Sequence, residues 1–496
     1  MSPARQSESR RRDEVLAARL KAIHDAPEGP TVTAYVDYDG TLIAGYSAVA
    51  FYRHRIRAGR IGPLELARTI SATVGATETV DQFEKLLDLS VAGLAGATPE
   101  QLRRVGSRVF DGQIAHTIQR EVWDLCRVHQ ERGHRVVIAT SATRMQVQSM
   151  ADALGVDALL CTEVEVDEDG TVTGRVAGRS PYGPFKARAI EDDAAAHGVD
   201  LTASFAYSNG REDDEFLATV GHPMAVSPDR ELREVAEARG WPVLDCQDQP
   251  GPLPGPRRLA RTAGFYGGLV GGLTAGLGLG ALNRSKRQAI DLAVGMAGDA
   301  SLAAAGFDVE IDGMENLLAA KPCVAVFNHQ STFDVPVMMK VLRGGFTGVA
   351  KASVAKLPVW GQFFRFADVV FIDRSDHTQA MNALEPAVRR LREDGISIAV
   401  APEGTISKTP DPLPFKKGAF HMALQAGVPV VPIVLRNTGN LMGYSSVAVN
   451  PGTIQVRILP AVDTSTWTEE TLPRHVEDVR DMFVRTLRDW PTSRAS

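Results

Sequence analysis

Short apolar runs alternate with amphipathic stretches along most of the chain. In the first half, Thr31–Asp37, His134–Thr140, Ser204–Ser208, Met224–Ser227 and Pro242–Asp245 are compact runs rich in β-branched or other apolar residues. Helical patterns such as Ser141–Leu154 lie between them. Strands separated by helices predict a parallel sheet in an α/β domain. From about Gly45 to Trp123 the pattern is helical only, which predicts an all-helical insert above the sheet. A second alternation begins near Phe307, with strands predicted at Asp308–Ile311, Cys323–Phe327, Val369–Ile372, Ile396–Ala401 and Val430–Val434.

Between the two halves the pattern breaks twice. Gln247–Arg258 is rich in Pro and Gly without apolar periodicity and reads as a linker. Ala263–Leu282 then carries no charge and, as a helix, is long enough to cross a hydrocarbon layer of about 30 Å. Gly264, Gly268, Gly272, Gly276 and Gly280 recur every fourth residue, a smooth stripe that lets another helix approach closely. The Ala-rich segment Ala289–Ala305 is one candidate partner, and a second chain is the other. Arg257, Arg258 and Arg261 precede the apolar segment, and Arg284, Lys286 and Arg287 follow it. Cations at both ends disfavour a full crossing, so residues 259–306 are expected to form a hairpin dipping into one leaflet, with both catalytic halves on the cytoplasmic face.

Composition narrows this reading little. The 496 residues exceed one ordinary core, and 44% hydrophobic with 23% charged content is ordinary for folded domains. The net charge of −6 and the absence of a basic block argue against nucleic acid. Cys126, Cys161, Cys246 and Cys323 lie far apart with no CxxC, so a reducing compartment and no zinc are expected. Residues 1–30 have a basic start but no apolar core after it, and read as a tail and polar helix, not a signal peptide.

Asp37-Tyr38-Asp39-Gly40-Thr41 ends the first apolar run. Two carboxylates one residue apart at a strand end can divide the labour of phosphomonoester hydrolysis: one attacks phosphorus, the other protonates the leaving oxygen and then activates water. This pattern resembles the first motif of the haloacid dehalogenase superfamily. Thr140, at the end of VVIAT, matches its phosphate-binding hydroxyl, and VVIATSATRMQVQSMADALGVD resembles the phosphoserine-phosphatase-like subgroup. Lys186 in YGPFKARAI matches the third motif, and AYSNGREDDEFLATVGHPMAVSPD the fourth. The resemblance covers about residues 31–246, with Gly45–Trp123 as the helical cap. It implies a Rossmann-like fold and Mg²⁺ held by Asp37, Asp39, Asn209 and Asp213. Asn209 stands where the family usually has an aspartate, which lowers the expected affinity for Mg²⁺. The phosphorylated substrate is left open, as is a catalytically silent regulatory module in place of an enzyme.

Asn328-His329-Gln330-Ser331-Thr332-Phe333-Asp334 follows the apolar run VAVF. In a loop entering a helix, the spacing of His329 and Asp334 can bring carboxylate to imidazole, which fixes the tautomer of a base that takes a proton from an alcohol. The stretch resembles the first motif of the glycerolipid acyltransferases. Val370–Arg374, Pro402–Thr405 and Val428–Ile433 resemble the next three in order. Asp368 and Ile406 depart from the usual Gly and Arg. The resemblance covers about residues 307–487 and implies a membrane-associated α/β domain. It would transfer an acyl group from acyl-CoA to lysophosphatidic acid, giving phosphatidic acid. Arg374, Glu403, Gly404 and Thr405 would bind the acceptor's phosphate, and backbone N–H groups near the motif would steady the oxyanion. No metal is needed for that step.

Overall fold

Alternate residues of the central strands bury on opposite faces, which explains why their sequences are apolar throughout. In β1 (Thr33–Val36), Ala34 and Val36 join one core cluster and Tyr35 another. The computed structural model describes residues 3–59, 80–246, 255–282, 284–356, 360–372, 384–443, 447–450 and 452–490. The chain divides into two units at Gln249/Pro250.

The first unit opens with α1 (Pro3–Asp25). Its sheet adds β2 (Arg135–Thr143), β3 (Ala158–Val166), β4 (Val172–Ala177), β5 (Phe205–Ser208), β6 (His222–Val226) and β7 (Val243–Leu244), in the order β4-β3-β2-β1-β5-β6-β7. Every neighbouring pair is parallel except β3 with β4. The insert contains α2 (Ser47–Arg57), α3 (Val80–Ala92) and α4 (Pro99–Val109). It leaves and re-enters the sheet domain at one place, where Thr117 accepts from the Ala44 N–H and Leu42 from that of Gln119. The expected boundary at Trp123 is therefore displaced: Trp123 is buried within α5 (Arg120–Glu131), a helix of the main core.

Two further expectations shift. β2 does not end at Thr140 but runs through an irregularity to Thr143, and α6 is Arg144–Leu154 rather than starting at Ser141. The Gln146 amide oxygen accepts from the N–H and hydroxyl of Thr143 at 2.8 and 2.7 Å, which sets the helix start there. The strands β3 and β4 form a hairpin absent from the sequence reading. Asp167 closes its turn by accepting from the N–H and hydroxyl of Thr171. Among the described residues, the unit's remaining α-helices are α7 (Pro184–His197), α8 (Asp214–Ala218) and α9 (Arg230–Arg239).

The second unit opens with α10 (Pro256–Leu282) and α11 (Lys286–Ala304). Helix α10 begins on a proline, a residue suited to a helix's first turn, so residues 256–258 belong to the helix and not to the linker. The rest of that linker lies outside the described residues, Gly255 excepted. The helix is long and apolar enough to cross a membrane, and 33% of its apolar window is buried in the protein.

The glycine stripe faces α11. A Cβ at Gly264 would lie 2.7 Å from the Ala304 carbonyl oxygen, and one at Gly268, Gly272, Gly276 or Gly280 would overlap the α11 backbone. The stripe is thus occupied within the chain, and the alternative of a homodimer through these glycines loses its surface. Gly272→Ala is expected to cost about 1–3 kcal/mol by overpacking. Gly271→Ala, which meets nothing within 4 Å, should stabilise the helix by up to about 1 kcal/mol. Thermal unfolding in detergent distinguishes the two, and equal shifts would refute the packing argument.

The second sheet comprises β8 (Asp308–Asp312), β9 (Val324–Phe327), β10 (Phe346–Lys351), β11 (Val370–Ile372), β12 (Ser397–Val400), β13 (Val430–Arg436) and β14 (Thr453–Ile458). Its order is β11-β10-β12-β9-β13-β14-β8, with β13 and β14 antiparallel and the other pairs parallel. The sequence reading lacked β10 and β14. Helix α12 (Met314–Ala319) follows β8, and α13 (Asp334–Leu342) follows β9. Both units are mixed α/β structures.

Candidate active sites

In the first unit, Asp37 and Asn209 directly follow the adjacent strands β1 and β5, at the end where parallel α/β sheets place ligands, and Thr140 lies at the irregularity of β2, the other neighbour of β1. Helix α7 delivers Lys186 to the same place. Its buried ammonium donates to Asp37 Oδ1 at 2.8 Å and to Asp213 Oδ2 at 2.6 Å. Ser208 donates to that same Asp213 oxygen at 2.5 Å. Burial would push Lys186 down, but Asp213 and Asp37 more than reverse this and hold its pKa above the ordinary range. Burial pushes Asp37 up to about 6 against the opposing effect of Lys186.

Asp39 is held apart from this cluster. Its two oxygens accept from the backbone N–H and hydroxyl of Ser47 at 2.6 and 3.1 Å. Burial pushes it up to about 7, with the Ser47 N–H opposing. The two carboxylates of the Asp37–Asp39 pair therefore sit in different surroundings. One is paired to an ammonium. The other is bonded to Ser47 and has its pKa raised towards neutrality by burial.

Thr140 is buried, and its hydroxyl oxygen accepts from the Ala142 N–H at 3.1 Å. Asn209 Oδ1 accepts from the Thr41 hydroxyl at 3.1 Å, and its amide packs where a Cβ on Gly40 (φ +82°) would be. Among the described residues, no three His, Cys, Asp or Glu side chains gather as a cation site. The oxygens of Asp37, Asp39, Asn209 and Asp213 nevertheless suit Mg²⁺. Asp213 Oδ1 is buried without a hydrogen-bond partner, as expected of an oxygen awaiting a cation.

In the second unit, β9 and its parallel neighbour β12 deliver two loops to one end of the sheet. His329 Nδ1 and Asp334 Oδ2 are 2.7 Å apart. The same Asp334 oxygen accepts from the N–H groups of Gln330 at 2.8 Å and Ser331 at 2.9 Å. Asp334 is fully buried at the start of α13, whereas the His329 side chain retains 21% exposure. A carboxylate on Nδ1 favours the tautomer whose Nε2 lone pair is free to take a proton.

Glu403 is bonded to the backbone on both sides. Both its oxygens are taken by backbone, Oε1 by the His329 N–H at 2.7 Å and Oε2 by the Leu413 N–H at 2.8 Å. Burial pushes it up to about 7, with these N–H bonds opposing. It fastens the loop that carries His329. Gly404 turns the loop at φ +74° beneath the Lys416 side chain, and Thr405 is exposed. The expectation about the oxyanion changes. The N–H groups of His329, Gln330 and Ser331 are committed to carboxylates and do not serve it. Arg374 lies outside the described residues.

Several supporting groups were missed in the sequence. The Asn328 amide donates to the Leu435 carbonyl at 2.9 Å and accepts from its N–H at 2.8 Å, which locks the motif to β13. The Ser331 hydroxyl donates to the Met442 carbonyl, and the Ser407 N–H to that of His329. Asn328 was open to suspicion, since a polar residue ending a buried strand must find partners. Ser47 and Ser407 carry no local signal.

Comparisons with known proteins agree with this division. A haloacid dehalogenase-like hydrolase family model matches residues 34–218, and an acyltransferase model matches residues 308–436. A 1-acyl-sn-glycerol-3-phosphate acyltransferase of Saccharomyces cerevisiae is 38% identical over 186 residues, 37% of this chain and 61% of the yeast protein. The chain thus spans less than two thirds of that relative. An inhibition of morphological differentiation protein of Streptomyces azureus is 34% identical over 219 residues, 44% of this chain and 79% of that protein. The crystal structure of the 1-acyl-sn-glycerophosphate (LPA) acyltransferase PlsC from Thermotoga maritima aligns with a TM-score of 0.41 at 27% identity, covering 47% of this chain and 96% of that one.

Proposed function

Because the chain belongs to the haloacid dehalogenase-like hydrolases through its first unit and to the acyltransferases through its second, we propose that it is a bifunctional enzyme of phospholipid synthesis. The second unit would acylate lysophosphatidic acid with acyl-CoA, and the first would hydrolyse a phosphomonoester.

The observation that supports the transferase reading best is the His329–Asp334 pair: a buried carboxylate steering a part-exposed imidazole. His329 Nε2 takes the proton of the acceptor hydroxyl, and the oxygen attacks the thioester carbonyl. The tetrahedral species collapses to ester, and the departing thiolate takes the proton back from the imidazolium. Glu403 and Asn328 keep the base in place. Arg374 is assigned the acceptor's phosphate on its motif alone, a task suited to a planar guanidinium. Helix α10, uncharged from Ala263 to Leu282, would keep this unit at the cytoplasmic membrane, where its lipid acceptor lies.

In the first unit Asp37 attacks phosphorus and forms an aspartyl phosphate, while Asp39 gives its proton to the leaving alcohol. Asp39 then takes a proton from water, which attacks the aspartyl phosphate and releases inorganic phosphate. Lys186 balances the charge gathered around Asp37. Mg²⁺, held by Asp37, Asp39, Asn209 and Asp213, would neutralise the phosphoryl oxygens.

The test is to incubate the full chain with lysophosphatidic acid, acyl-CoA and Mg²⁺, following phosphatidic acid and, in parallel, phosphate released from p-nitrophenyl phosphate. Both should form, and chelation with EDTA should stop phosphate release alone. Absence of acylation would refute the transferase reading. Acylation without any metal-dependent phosphate release would favour the other reading, a silent regulatory module. The engagement of Asn209 by Thr41 is the observation on that side.

A further inference from the structure

Helix α2 has one face too many for a soluble cap. Ser47 and Phe51 bury its inner side, and the Tyr52 hydroxyl meets Ser90 of α3 at 3.2 Å. On the opposite side Val49, Arg53 and Ile56 follow spacings of four and three residues, one stripe of a helix, and Tyr46, the extended residue that precedes α2, lies at its start. Tyr46, Val49 and Ile56 are 66%, 42% and 52% exposed. Single exposed apolar residues are ordinary, but two on one helix stripe with an exposed tyrosine at its start need an explanation.

Charge supplies it. The segment Ala44–Gly59 contains Arg53, His54, Arg55 and Arg57 and no acidic residue. An exposed apolar stripe flanked by cations suits the headgroup boundary of an anionic bilayer, where apolar side chains enter the acyl edge and guanidinium groups meet phosphate. The stripe also begins at the catalytic carboxylates: Tyr46 directly precedes Ser47, whose N–H and hydroxyl hold Asp39.

We propose that α2 rests on an anionic membrane surface and that the phosphomonoester delivered to Asp37 is a lipid lying in that surface. The substrate half of this inference rests on the hydrolase reading above. A cap docked in this way receives a headgroup lifted only slightly from the bilayer, whereas a water-soluble metabolite would gain nothing from the stripe.

The docking is tested on the full chain with an environment-sensitive fluorophore on Val49→Cys in a Cys246→Ser background. The remaining cysteines, Cys126, Cys161 and Cys323, are buried. Emission should move to the blue with phosphatidylglycerol vesicles, much less with phosphatidylcholine, and revert in high salt. The same label at Glu168→Cys, on the exposed β3–β4 turn, should not respond. Equal shifts with both lipids or at both sites overturn the docking. So does a shift that appears on raising protein concentration without vesicles, which would mean a second copy covers the stripe.

For the substrate, Val49→Ser combined with Ile56→Ser should lower kcat/KM on vesicle-borne phosphatidic acid by about tenfold or more and leave p-nitrophenyl phosphate hydrolysis unchanged. Loss on both substrates, or on neither, refutes the substrate half. If the native chain hydrolyses neither, the hydrolase reading itself fails, and the fluorescence result still decides the docking.

Discussion

Replacing His329 by alanine is expected to lower acyl transfer by about 10²–10⁴-fold, the usual contribution of a positioned base. Stability should change little, because that side chain is part exposed and Asp334 keeps two backbone donors. Asp334→Asn should behave differently. A single carboxylate oxygen accepts from His329, Gln330 and Ser331, and an amide can keep an acceptor on only one side. If its NH₂ faces this cluster, three donors lose their acceptor. If its oxygen does, the NH₂ is buried where Asp334 Oδ1 already has no partner. The variant should therefore lose activity to a similar extent and, in addition, about 1–3 kcal/mol of stability. Acyl-transfer rates with thermal unfolding of the same preparations separate the two effects. An alanine variant keeping a tenth or more of native activity would remove His329 from the chemistry.

Lys186→Met should be the most damaging single change to the first unit. It leaves Asp37 and Asp213 buried around one point with no cation between them. Breaking a buried charge pair in this way costs about 3–5 kcal/mol. The loss should depend on pH. Burial already raises Asp37 to about 6 in the folded chain, with Lys186 opposing, and removing the lysine raises it further. A carboxylate whose folded pKa exceeds its unfolded value of about 3.9 binds its proton more tightly when folded. The stability this provides is fully present below the unfolded value and disappears as pH rises through the folded one. The deficit of the variant against the native chain should accordingly be small near pH 5 and large near pH 8. Urea unfolding of the first unit's transition at the two pH values measures it, and a pH-independent deficit would mean that lost packing, not charge, is the cause. Asp37→Asn removes one of the two carboxylates and should be far better tolerated, while stopping phosphate release.

Much of this could be read locally. The DxDGT turn, the HxxxxD spacing and the strands that lead into them are short-range patterns, because each combines an apolar run with a change of polarity at its end. The β3–β4 hairpin is equally local: Asp169-Gly170 between two alternating runs is a standard turn signal. The start of α6 was misplaced because β-branched threonines can prolong a strand as easily as they can cap a helix, and only the bonds of Gln146 decide. The glycine stripe was visible as a contact surface, but its partner was not, since Ala-rich helices of the same chain or another chain would fit it equally.

By itself, then, the sequence determined which residue types stand at the ends of which strands, because chain order and periodicity are local properties. Only the tertiary structure decided what each charged group faces. Lys186 is 149 residues from Asp37, and Glu403 is 74 from His329. Whether a carboxylate meets an ammonium, a backbone N–H or a substrate depends on strand order and burial, and those are settled by packing between segments that lie far apart along the chain.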